Sequence, residues 1–302
     1  MPNPHELCAR QVLELALSPY GLAQAEAPIP APDEQFADVA FLPTTAGPVR
    51  DPLPLGLLGR IASRPCLLEP FSRAPGAPTL EALLRKVFNA RHGARGEGAP
   101  PHARALSEAT LWALAAGRPN DLIEAATLVA MTDEVPGVYV PIARLPVGLV
   151  VIPELPSGED TLLLRLLGRG AEARAAREEV RQRQEEHPRW RALGSVVIQY
   201  LRRIQVEAPA AEEEEDMDEI AEEAARWEAA AVARGRVEGR VEGRALTLAH
   251  LIERRLVRPL TASEREALSS ALHDEATCDR VESLVLDPDP TALSGWLSAL
   301  AQ

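Results

Sequence analysis

Two acidic residues stand in apolar surroundings that give them no obvious partner. Asp38 lies within QFADVAFLP, and Glu69 closes the apolar run of CLLEPFSR. An ionised carboxylate is costly to desolvate alone, so each must surface, pair with a cation or hold a metal ion. If the two segments are neighbouring strands of one sheet, Asp38 and Glu69 form a minimal cage for Mg2+ or Mn2+, hard cations that take oxygen ligands and keep several waters. Such an ion polarises a phosphoryl oxygen and generates hydroxide near neutral pH, which is the chemistry of phosphodiester hydrolysis. The residues alone leave a plainer alternative open, with Asp38 an exposed turn residue and Glu69 paired with Arg64 or Arg73. Lys86 is the third candidate, because it is the only lysine among 32 basic residues. It sits beside the apolar stripe of a predicted helix, where a long side chain either reaches the sheet edge or stays solvated.

The elements that would position these groups follow from the periodicity. HELCARQVLELALSPYG has helical spacing and closes on Gly21, as a helix C-terminus would. AEAPIPAPDEQ reads as a proline-rich loop and FADVAFLP as a strand with Asp38 near its start. DPLPLGLLGRIASR predicts a short helix, and PCLLEPFS a strand in which Cys66 is a small core residue. Pro70 lacks an N–H, which predicts that this strand leaves the sheet there. TLEALLRKVFNARHG opens with Thr79 as an N-cap and places Leu80, Leu83, Leu84, Val87 and Phe88 on one face. TLWALAAG, VYVP and VGLVVIPELP read as further strands, and the pattern is helical from Asp160 to about Glu207. Alternating patterns of this kind predict an α/β (α+β) domain with a central mixed sheet flanked by helices. The domain spans 1–206, an acidic linker 207–219, and a helical C-terminal region 220–302.

The C-terminal region carries a repeat, RGRVEGRVEGRA, inside one long predicted helix. Its four-residue period stacks Gly235, Gly239 and Gly243 in one row, with Arg236, Arg240 and Arg244 in a second and Glu238 and Glu242 in a third. Glycine costs roughly 1 kcal/mol relative to alanine inside a helix, so close approach of another backbone is the natural compensation. The row therefore reads as a packing seam, within the chain or in a homodimer through this helix, or else as a solvated repeat. The formal net charge is −13, but residues 1–205 hold 22 basic and 23 acidic side chains and residues 206–302 hold 10 and 22. The acidic excess is in the tail, so charge neither excludes nor favours DNA as a partner of the N-terminal domain. Arg174, Arg177, Arg181 and Arg183 alternate with glutamates, which predicts an ordinary solvated helix face. Cys8, Cys66 and Cys278 are few and far apart, which argues against a disulfide framework or a zinc site. The six histidines, His5, His92, His102, His187, His250 and His273, show no metal-ligand spacing and read mostly as surface residues. No run approaches the roughly 18 apolar residues of a membrane span, and the N-terminus lacks a signal-peptide pattern, so a cytoplasmic, membrane-free protein is expected.

The order of helix, strand with Asp38, strand with Glu69, amphipathic helix and strand resembles the core of the PD-(D/E)XK nuclease superfamily. ADVAF followed by CLLEPFS is similar to the Rpn family of recombination-promoting nucleases, also called YhgA-like transposases. GRVEGRVEGRALTLAHLIERRL resembles the repeat helix that closes many proteins of that type, and LWALAAGRP, GVYVPI, VGLVVIPELP and TLLLRLLGRG resemble their middle segments. The resemblance implies a restriction-endonuclease-like fold, DNA as substrate, and Mg2+ or Mn2+ held by Asp38, Glu69 and the Pro70 carbonyl. It also implies a lysine or glutamine beside Glu69 on the same strand face, at position 71, where this chain has Phe71. Some members of the superfamily carry that lysine on the following helix, which makes Lys86 the substitute and leaves Gln35 and Arg73 as weaker ones. Phe71 leaves a second expectation beside the nuclease: a non-catalytic descendant of the fold that serves as a scaffold or regulatory subunit.

Overall fold

Three short, almost wholly apolar strands make the centre of a single sheet. They are β3 (Cys66–Phe71), β4 (Thr110–Ala115) and β7 (Val147–Val151), paired in parallel in the order β3-β4-β7. Strands buried on both faces read as continuous apolar runs because helices must cover both sides of a parallel sheet. The computed structural model describes residues 3–29, 35–44, 54–95, 104–131, 135–142, 145–207, 214–272, 275–287 and 289–300. Antiparallel strands extend the sheet at each side, β1 (Gly21–Ile29) and β2 (Gln35–Pro43) beyond β3, and β6 (Val138–Pro141) and β5 (Leu128–Ala130) beyond β7. The result is a seven-stranded mixed sheet ordered β1-β2-β3-β4-β7-β6-β5.

Helix α3 (Pro78–Ala94) makes the crossover from β3 to β4 and covers one face, burying Leu83, Val87 and Ala90 against Leu67, Leu111, Ala113 and Leu149. Strand alternation sends Cys66 and Leu68 to the other face, where α1 (Pro4–Leu17) packs on β1, β2 and β3. The short helices α2 (Gly56–Ile61), α4 (Asn120–Ala125) and α5 (Leu162–Arg165) fill connections. Helices α6 (Gly170–Gln182) and α7 (Pro188–Glu207) follow, with α7 packed against α1. The chain divides into two compact units, Met1–Ala224 and Ala225–Gln302. The second holds the larger part of α8 (Glu214–Leu256), then α9 (Ala262–Ala271), α10 (Glu275–Leu286) and α11 (Pro290–Leu300), around Leu248, Ile252, Leu268, Val281 and Leu293. Thr261 and Glu264 close a reciprocal capping box at the start of α9.

The structure departs from the sequence expectations at several places. Of the proline-rich segment expected as a loop, residues 25–29 belong to β1, an edge strand in which a proline such as Pro28 is tolerated, and 30–34 lie outside the described residues. Gly21 opens that strand instead of closing α1, which ends at Leu17; a Cβ at Gly21 would lie 2.1 Å from the Leu42 carbonyl oxygen. Helix α3 starts at Pro78 with Ala77 as N-cap, so Thr79 is inside it, and its buried face is turned toward Ala90 and Ala94, leaving Phe88 48% exposed. Strand β3 does not leave the sheet at Pro70, because Pro70 and Phe71 still pair with Leu114 and Ala115 of β4. Residues 214–219 of the acidic stretch are already helical, while 208–213 lie outside the described residues. Arg177 is buried and donates two 2.7 Å bonds to Glu223, and His5 is buried rather than on the surface. His102 and His273 lie outside the described residues.

Candidate functional site

Glu69 lies two residues before the end of β3, on the face that α3 covers, between Leu67 and Phe71. It is among the few charged residues the fold buries, 4% exposed, and two donors compensate it. Lys86, from the middle of α3, places Nζ 2.6 Å from Oε2, and the Asp38 amide donates to Oε1 at 3.1 Å. The partner of Glu69 is thus Lys86, in place of Arg64 or Arg73, and Lys86 is not a solvated flank residue: its side chain is 17% exposed. Burial raises the Glu69 carboxyl to about 7, against the pull of Lys86, with the Asp38 charge adding to the rise.

The Asp38 amide can reach this carboxylate because β2 is distorted there. Pairing of β2 with β3 runs from Phe41↔Cys66 to Val39↔Leu68 and stops, so Asp38 and Glu69 would be the next rung. Pairing of β2 with β1 includes Ala25↔Val39 and Ala27↔Ala37 but passes over Glu26 and Asp38. Glu26 has φ of 49°, uncommon for a residue with a side chain, and both Ala37 and Ala40 join the α3-side core although strict alternation would separate them. The distortion at this position leaves the Asp38 N–H bonded to Glu69 and its carboxylate paired with Arg10 of α1. There Arg10 pairs with Asp38 Oδ1 through Nη2 and with Glu26 Oε1 through Nη1 at 2.7 Å. Glu6, one turn before Arg10, is close enough that burial and then the Asp38 charge raise its pKa. The two acids therefore share one strand junction but carry separate cations, Arg10 from one face and Lys86 from the other.

The remaining sequence candidates fall around this junction. Pro70 is buried. Since the Ala116 amide donates to the Phe71 carbonyl, alternation turns the Pro70 carbonyl away from β4, toward the edge where β2 pairing has ended. Phe71 is half-buried and packs, as Leu80 and Leu84 do, against the core on the α3 side of the sheet. Gln35 accepts a 3.1 Å bond from Asn89, one turn beyond Lys86. Sequence reasoning missed Arg10, Glu6 and Glu26. The four-residue spacing of Glu6 and Arg10 was the available signal, but the segment opposite them was read as a loop.

A second polar cluster occupies the same end of the sheet. Tyr139 shares a rung with Glu69 through Leu149 and Ala113, and its hydroxyl donates to Glu154 at 2.6 Å and accepts from Arg118 at 2.8 Å. Arg118 also pairs with Glu154, so the three groups satisfy one another and tie the segments after β4 and β7 together. An apolar cavity lined by Phe41, Pro43 and Leu55 lies at the other end of β2 and holds no acid.

Two carboxylates and a main-chain carbonyl are hard oxygen donors, which suit a divalent cation that keeps most of its waters. Among the described residues no group of three or more His, Cys, Asp and Glu side chains is arranged to hold a metal ion, and Asp38 and Glu69 turn their carboxylates to different cations, so a shared ion would require them to reorient. Comparison of the chain with protein-family models, curated proteins and solved structures gives no match. Among the described residues no helix is long and apolar enough to cross a membrane.

Proposed function

We propose that the chain is a metal-dependent DNA endonuclease of the Rpn type, built on a restriction-endonuclease-like core of the PD-(D/E)XK superfamily. The supporting observation is that its only lysine, Lys86, is held 2.6 Å from the buried carboxylate of Glu69, which stands opposite Asp38 where the β2–β3 pairing ends. In this reading Asp38, Glu69 and the Pro70 carbonyl would hold Mg2+ or Mn2+, once the two carboxylates reorient, and the ion would supply Lewis-acid polarisation of the phosphate and activation of a water. Lys86 replaces the side chain absent at Phe71: its ammonium orients the attacking water and stabilises charge developing on the phosphoryl oxygens. The α3 side core behind Glu69 excludes bulk water and strengthens both effects. The reading places the protein in the cytoplasm with DNA as its partner, and pairs two copies through the exposed glycine row of α8.

A second reading is favoured by the charge balance. Asp38 and Glu69 each already have a cation, and Phe71 packs as a core residue, as a non-catalytic scaffold of the same fold would allow. Plasmid cleavage with Mg2+ or Mn2+ separates the two. Wild type is expected to nick or linearise DNA, while Asp38→Ala, Glu69→Ala and Lys86→Ala each lose at least a hundredfold in rate. Equal residual cleavage by all four proteins would mark a contaminating nuclease and leave the scaffold reading.

A further inference from the structure

The sheet ends differently at its two sides. Strand β5 is three residues long, which blunts that edge, whereas β1 presents nine residues at the other. The Thr44 amide donates to the Tyr20 carbonyl at 3.0 Å, so Tyr20 and Thr44 open the β1–β2 ladder as a hydrogen-bonded pair. The register then runs unbroken to Ala25↔Val39. Alternation turns the N–H and C=O groups of Leu22 and Gln24 to β2 and those of Gly21, Ala23 and Ala25 to the open side. Among the described residues nothing donates to or accepts from these three N–H and three C=O groups. The devices that protect an edge begin only beyond Ala25, with the distortion at Glu26 and then Pro28.

We infer that Gly21–Ala25 is a strand-addition edge whose partner is the same segment of a second copy of the chain, the two strands running antiparallel about a two-fold axis at Ala23. That arrangement sets Gly21 opposite Ala25 and Ala23 opposite its own counterpart, so every open N–H meets an open C=O. The chain carries a formal net charge of −13, yet GLAQA is uncharged, and Glu26 falls opposite Tyr20 of the second copy. No acid therefore meets an acid across the two strands. Strand addition takes its specificity from the fit of alternate side chains. One face of this edge carries only glycine and alanine, so it suits a strand equally small there, which its own copy is. On the other face Leu22 is 46% exposed and gains Leu22 of the second copy as a diagonal neighbour. The contact is separate from the glycine row of α8 and independent of the nuclease reading.

In this register Leu22 of one copy and Gln24 of the other form a non-hydrogen-bonded pair with Cα atoms about 4.5 Å apart, within disulfide reach. Full-length Leu22→Cys and Gln24→Cys are oxidised separately and mixed, the native cysteines being buried. The mixture is expected to give a disulfide-linked dimer, and each variant alone at least about tenfold less, since like positions stand only diagonally across the axis. Adding Ala23→Pro to both variants removes the central pair of bonds without touching the β2 ladder, and is expected to lower the yield at least about tenfold, with circular dichroism recorded for each protein. No link in the mixture, equal linking by either variant alone, or a yield unchanged by Ala23→Pro overturns the inference. If Ala23→Pro does not fold, amide exchange of the wild-type chain decides. Protection of Gly21, Ala23 and Ala25 that rises with protein concentration is expected, and exchange independent of concentration overturns it. A dimer formed through α8 alone gives neither the mixed disulfide nor this protection.

Discussion

His5 carries a clear pH signature in the first unit. Its ring is buried under α1, with Nε2 3.1 Å from the Gly168 carbonyl oxygen and the ring edge-on to Tyr200 at 6.2 Å. Burial above all lowers its pKa to about 4, despite the carbonyl, and the charges of Arg169 and Arg177 add to the fall. The unfolded chain binds a proton near pH 6.5 that the folded chain refuses until about pH 4, so stability is lost as pH falls through that window, by up to about 3 kcal/mol. Glu69 acts in the opposite sense, since a carboxyl raised to about 7 makes its ionisation unfavourable to the fold as pH rises from 4.5. The difference between wild type and His5→Gln isolates the histidine. Urea unfolding should show the wild-type midpoint falling between pH 6.5 and 4 relative to the variant, and parallel pH profiles would assign the loss to another group. The chemistry of single residues made Asp38, Glu69 and Lys86 legible, because an acid in an apolar strand and a lone lysine stand out against their surroundings. Arg10 and Glu26 did not stand out, because their meaning depends on a strand contact between residues far apart in the chain.

The elements were legible where burial is two-sided. CLLE, TLWALA and VGLVV read as strands because nothing polar interrupts them, and they are the parallel strands that helices cover on both faces. GLAQAEAPI did not, because an edge strand with one exposed face, small residues and a proline has the composition of a loop. The face of α3 was misplaced toward Phe88 because hydrophobicity counts a large side chain above alanine, whereas close contact with the sheet selects Ala90 and Ala94. Gly148 shows the same demand for space. It is in register with Trp112 across β4 and β7, and a Cβ there would lie 2.5 Å from the indole ring. Overpacking at such a point displaces the ring or the strand, and Gly148→Ala should cost about 2 kcal/mol. Guanidinium unfolding measures this directly, and an unchanged midpoint would mean the indole moves aside freely.

At the scale of the whole molecule, the second unit leaves one face of its long helix exposed among the described residues. Within it α8 buries Ala245, Leu248 and Ile252 against α9, α10 and α11. At about 100° per residue, Val232, Gly235, Gly239, Gly243 and Leu246 form one row on the opposite side of the helix. All five are exposed, and a Cβ added at any of the three glycines would meet nothing within 4 Å. The repeat was legible as a seam, but not what it faces, and the C-terminal bundle is not its partner. Arg236 and Arg240 line one flank of the row, and Glu242 lines the other. A two-fold axis parallel to two facing helices sets the basic flank of one copy against the acidic flank of the other, whereas an antiparallel pair sets like against like. A parallel pairing of two copies is therefore the arrangement the charges favour. Single cysteines at the ends of the row distinguish the two, because the native cysteines are buried. Val232→Cys alone and Leu246→Cys alone should each give a disulfide-linked dimer on mild oxidation. An antiparallel pair would instead link only when the two variants are mixed, and no crosslink in any combination, with a monomeric mass by light scattering, would leave the glycine row solvated.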